Sequence, residues 1–216
     1  STDYASVSNI LRSKNLNLKY GSASLLELES GSNDPTAYTM TMVFLAVIMG
    51  KNLSVPLLIL SQVAIGLGVG FAAAFLLGKY LRRINVQEDG LTAVLMAAAM
   101  LITYAAASLL DGNGYLALYI LGIRLGNMEF KGKRDTVFFF DGFSEIMQIA
   151  LFFVLGLLSD FGRFVQALPV ALAIMLFMTI LARPLSVFGL MLPFKLQRNQ
   201  LHMLSLAGIR GAAAIA

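Results

Sequence analysis

Eight apolar runs, at roughly 1–13, 22–50, 54–81, 88–110, 113–127, 135–158, 161–192 and 199–216, fill almost all of this 216-residue chain. Most are about as long as a helix needs to be to cross a hydrocarbon core of about 30 Å. With 58% hydrophobic and 13% charged residues, the chain is too apolar for a soluble domain of this length. The expectation is an all-α polytopic membrane protein.

The connections fix an orientation. Arg12, Lys14, Lys19, Lys79, Arg82, Arg83, Arg124, Lys131, Lys133, Arg134, Lys195 and Arg198 fall on one side of the spans, and Lys51 and Arg163 on the other. Twelve bases against two is a positive-inside signal that puts the first, third, fifth and seventh connections in the cytoplasm. The net charge of +4 is spread over short loops with no continuous basic face, so membrane lipid is the expected neighbour and nucleic acid is not. No cysteine is present and His202 is the only histidine, which removes thiolate and histidine metal sites; no cofactor is expected. His202 reads as an interfacial residue near the cytoplasmic start of the last span. The chain opens on Ser1-Thr2-Asp3 and stops at Ala216 inside an apolar run. Both ends are therefore expected to continue into the remainder of one larger polypeptide.

Ionisable groups inside spans are costly and usually mark a site. The run 22–50 begins with Glu27, Glu29, Ser30, Ser32, Asn33, Asp34 and Pro35. Counted from Ser22 at about 1.5 Å per residue, Asp34 lies roughly 18 Å along, near the bilayer midplane. Similar counts bring Asp3, Arg183 and Arg210 to the same level, so two acids and two bases from four spans share one depth. Glu29 and Asn33 stand four apart on one face, with Ser30 and Asp34 paired beside them. Pro35 has no N–H, which frees the Gly31 carbonyl to turn toward an ion or water. An oxygen-only ligand set suits protons and hard monovalent cations. Thr2 and Asp3 at the midplane suggest a span broken there.

Elsewhere the residues are plainer. Gly66 and Gly70 form a small-residue face for close helix packing, within the monomer or across a dimer, rather than a dinucleotide loop. Asp111-Gly-Asn-Gly114 is a turn signal on the outer side. Asp141 and Glu145 share a face, the first expected in a cytoplasmic vestibule and the second as a possible partner of Arg183. Pro184 puts a helix breaker beside that arginine.

The stretch Leu26-Glu-Leu-Glu29-Ser30-Gly-Ser-Asn33-Asp34-Pro35 resembles the Glu-Ser-x-x-Asn-Asp signature of the monovalent cation:proton antiporter-1 family, the bacterial NhaP-type exchangers. Thr2-Asp3 resembles that family's Thr-Asp crossing helix, and Gly208-Ile-Arg210-Gly-Ala212 its Gly-Leu-Arg-Gly-Ala helix. All three stand in the family's order, and the wording looks closest to the potassium/proton branch. The resemblance implies an inverted-repeat cation/proton antiporter fold with broken crossing helices, in a bacterial inner membrane, as a homodimer in the full-length protein. It implies that Asp34 binds ion and proton, that Ser30, Asp3 and the backbone around Thr2 complete the oxygen shell, that Asn33 fixes the broken helix and that Glu29 pairs with Arg210.

The expected function is exchange of K+ or Na+ for H+ by competition at one midplane carboxylate. One proton against one cation makes it electroneutral, and a chain of this extent is not expected to transport alone. Alternatives are an anion transporter of similar fold, a membrane sensor or scaffold, and an intramembrane aspartyl protease using Asp3 and Asp34. The last lacks the Gly-x-Gly-Asp wording around Asp34.

Overall fold

The computed structural model describes residues 22–50, 54–83, 89–191, 194 and 198–206. Among the described residues every regular element is a helix: α1 Ser22–Ile48, α2 Val55–Arg83, α3 Asp89–Leu109, α4 Gly114–Gly126, α5 Lys133–Leu158, α6 Phe161–Phe177, a π turn at Met178–Ala182, α7 Arg183–Met191 and α8 Arg198–Leu206. Stretches Val55–Arg83, Leu91–Leu109, Lys133–Leu158 and Val165–Met191 are long and apolar enough to cross a membrane. α1 has the length, 27 residues, but its first half carries three carboxylates. α4 is short, at 13 residues.

α1 continues through Pro35. Threonines around the proline return hydroxyl hydrogen bonds to the helix carbonyls, Thr36 to Ser32 at 2.8 Å and Thr39 to Pro35 at 3.0 Å. Such bonds are one way a membrane helix tolerates a missing N–H. Pro184 is absorbed differently. Just before it the helix widens, and the Arg183 N–H donates to the carbonyl of Met178, five residues back. A π turn of this kind lets the rod run on from Val165 to Met191.

The chain divides into two compact units, one of residues 31–147 and one of residues 1–30 and 148–216. In the first, α2 and α4 run side by side with α3 against both. Gly66, Gly70, Ala74 and Gly78 recur every four residues as the buried stripe of α2. A Cβ at Gly66 would stand 2.8 Å from the Asn113 carbonyl oxygen, and one at Gly70 the same distance from that of Ala117. The small-residue face thus works within the chain. Lipid is as apolar as a side chain, so close van der Waals packing has to hold such helices together. Leu81, Met96, Leu121 and Leu125 close the core at the Arg83 end, while Phe75, Leu101 and Phe138 point outward. In the other unit, α7 packs on α8 and on the π turn.

α4 is capped at both ends. The Asn113 Oδ1 accepts from the Leu116 N–H at 3.0 Å, and the Asn127 N–H closes the last turn on Ile123 and Leu125. Lys133 reaches back to the Gly126 carbonyl at 2.8 Å and to Glu129 at 3.3 Å.

Candidate ion-binding site

Because α1 is continuous, the spacing of its polar residues becomes geometry. Glu29 and Asn33 lie one turn apart on one face, Ser30 and Asp34 on the next, and all four are half-buried. Asp34 is 12 residues from Ser22 and 14 from Ile48, so it sits near the middle of a helix about 40 Å long. Pro35, beside it, is buried.

The Pro35 carbonyl is held from outside the helix. Asn113 Nδ2 donates to it at 2.7 Å and to the Thr39 hydroxyl at 2.9 Å. The Asn113 N–H donates to the Gln62 carbonyl at 3.1 Å, and Gln62 Nε2 donates to the Asp111 carbonyl at 3.2 Å. Asn113, Thr39 and Gln62 are all buried. On the same side, one turn past Asp34, Tyr38 packs on Tyr115 at 5.3 Å between ring centres, and Tyr115 on Tyr104 at 5.4 Å. Gly31 leaves room for the Tyr119 ring, which a Cβ there would strike.

A second node forms around Arg183. Its Nη1 meets Glu29 Oε1 at 3.1 Å and its Nη2 meets Oε2 at 3.3 Å, a forked pair. Nε and Nη2 also donate to the Leu204 carbonyl at 3.1 and 3.0 Å. One guanidinium therefore ties the start of α1 to the backbone of α8.

The transmembrane sodium/hydrogen exchanger profile matches residues 1–216, the entire chain. The chain belongs to that family. The chain is 35% identical over 221 residues to the K(+)/H(+) antiporter NhaP2 of Shewanella sp. (strain ANA-3), covering 100% of the chain and 38% of that protein. It is 34% identical over 219 residues to the K(+)/H(+) antiporter NhaP of Alkalimonas amylolytica, with the same coverage. It is 28% identical over 204 residues to the Na(+)/H(+) antiporter 1 of Methanocaldococcus jannaschii, covering 88% of the chain and 47% of that protein. The chain spans about two fifths of the length of the bacterial relatives it matches. No solved structure matches it significantly. With its apolar helices, the chain is a multi-pass protein of the plasma membrane.

Of the residues expected at the site, Asp34, Ser30, Asn33 and Glu29 are carried by one helix, while Thr2, Asp3 and Arg210 lie outside the described residues. Glu29 is paired with Arg183, where the sequence had suggested Glu145 for that arginine; Glu145 is exposed on α5. Glu29 and Arg183 stand at compatible depths, and a fork suits a carboxylate. Among the described residues no group of three or more His, Cys, Asp or Glu side chains could hold a metal ion. The sequence reading missed Asn113 and Gln62. A single Gln inside an apolar run and an Asn ahead of one were the available signals.

Proposed function

We propose that this chain carries the exchange site of a monovalent cation/proton antiporter, with Asp34 binding either a proton or a dehydrated K+ or Na+ ion. Exchange follows because one carboxylate cannot hold both. The observation that carries the reading is a half-buried carboxylate near the middle of a 27-residue helix, on the face of Ser30 and next to a proline. Family membership over the full chain and relatives named for K(+)/H(+) and Na(+)/H(+) antiport support it.

In this reading Asp3, Ser30 and the Thr2 backbone complete the oxygen shell, and Asn33 steadies the neighbouring broken helix. Glu29 and Arg183 hold helices together rather than carry ions, and Arg210 adds a midplane base. Desolvation favours the protonated carboxyl and a nearby base the charged one, so their balance sets the pH at which proton and cation compete. The basic connections face the cytoplasm. The working unit is the full-length polypeptide, as a homodimer, with ligands from segments outside this chain. Exchange is electroneutral.

The test is dequenching of a pH-sensitive dye in everted vesicles containing the full-length protein, with K+ and Na+ added separately. Wild type should dequench with at least one ion and Asp34→Asn with neither. Exchange surviving in D34N would overturn the reading, and dependence on an imposed membrane potential would overturn electroneutrality.

A further inference from the structure

The turn between α3 and α4 stops well short of its neighbours. Asn113 is bonded to Gln62, which lies seven residues inside α2 from Val55, or about 10 Å. Asn113 is also bonded to Thr39, nine residues short of the end of α1 at Ile48, or about 14 Å. α4 accordingly needs only 13 residues, about 20 Å, to reach the Gly126 end. The turn therefore lies at the depth of the hydrocarbon core, one helical turn beyond Asp34.

Non-helical backbone at that depth is tolerated only when buried in protein or lining a water-filled cavity. Asp111, at the turn, is exposed and has φ 58. An exposed carboxylate in lipid is costly. Two neighbours add an independent sign: Gln62 Oε1 and Ser108 Oγ are buried and have no hydrogen-bond partner among the described residues. Buried polar atoms in native proteins are met by ordered water when no protein group serves. Both flank this turn, Gln62 through its bond to the Asp111 carbonyl and Ser108 by its approach to Gly114. Tyr38 of α1 packs on Tyr115 of α4, two residues past Asn113, and Tyr115 packs on Tyr104 of α3. The three tyrosines thus cluster beside the turn, with Tyr38 one helical turn from the mid-helix carboxylate.

We propose that residues 110–113 form the floor of a water-filled vestibule open to the face opposite the basic connections, and that Asp111 gathers the alkali cation there before it passes the tyrosine hydroxyls to Asp34. The cation role rests on the exchange reading of Asp34; the hydration of the turn does not. A fixed negative charge in a low-dielectric funnel raises the local cation concentration.

Two measurements on the full-length protein, with any cysteine outside this chain replaced by serine, test it. In right-side-out vesicles a membrane-impermeant thiol reagent should modify D111C, and should leave L101C, an exposed apolar position on α3, unmodified. D111C reacting no faster than L101C, or reacting only from the cytoplasmic face, overturns the vestibule. In flux assays Asp111→Asn should raise the half-saturating outer cation concentration by about threefold or more, an effect that shrinks as an untransported salt is added. An unchanged half-saturating concentration overturns the role of Asp111. Exchange that survives D34N overturns the Asp34 reading instead and leaves the labelling result standing.

Discussion

The side-chain amide of Asn113 donates to the carbonyl of Pro35 at 2.7 Å, one residue beyond Asp34. The same side chain caps α4 through its other atom, accepting from the Leu116 N–H. A single residue therefore sets both where α4 begins and how α1 is braced past its proline. Asn113→Ala removes the cap and the brace, whereas Asn113→Ser keeps a capping hydroxyl too short to reach Pro35. Both variants should unfold below wild type, with the alanine lower by about 1 kcal/mol, the usual worth of a cap. Thermal unfolding of the purified full-length protein in detergent measures this. Equal melting temperatures for all three proteins would mean that the node carries no stability.

Arg183 serves Glu29 and the Leu204 carbonyl together, with side-chain exposures of 17% for the arginine and 31% for the glutamate. Arg183→Gln should destabilise more than Glu29→Gln. The first takes the guanidinium from a half-buried carboxylate and from the Leu204 carbonyl, while the second leaves Arg183 its bonds to Leu204. Arg183→Lys should fall between, since an ammonium lacks the planar fork. A double-mutant cycle on unfolding should give a coupling above about 0.5 kcal/mol, as for groups in one network. Additive effects would contradict the pairing.

Gly70 packs where its Cβ would meet the Ala117 backbone at 2.8 Å, and backbone yields less readily than a side-chain tip. Gly70→Ala should cost about 1–3 kcal/mol by overpacking, and Gly70→Leu should leave little folded protein. At Gly68, where a Cβ meets nothing within 4 Å, the same alanine change should be nearly silent. Size-exclusion recovery of the two alanine variants after heating is the comparison. Equal recovery would mean that the α2 and α4 contact is looser than described.

The helical membrane class was legible because long apolar runs admit little else, and the wording around Asp34 pointed to the family before any coordinates did. The contact between Glu29 and Arg183 was not. Counting residues from a span's end gives depth but not direction around the helix, so bases at one level are interchangeable on paper. Pro35 and Pro184 look alike in sequence as breakers. One is flanked by threonine hydroxyls bonded back to the helix and the other follows a π turn. Asp111 to Gly114 read as a turn, yet hydropathy marks where a run stops and not how far its neighbours overshoot it. The 13-residue length of α4 held that information, but only beside the Gln62 and Thr39 contacts does it become a depth.

Competition at Asp34 is tested most directly by counting protons released when a cation binds. The purified full-length protein, in weakly buffered detergent solution at a pH where wild type exchanges, is titrated with K+ and separately with Na+ while the proton yield is read from a pH indicator. The account predicts up to about one proton per cation bound, falling toward zero at alkaline pH where the carboxyl is already ionised, and no release from D34N. Cation binding that releases no proton at any pH, or the same release from D34N, would contradict it.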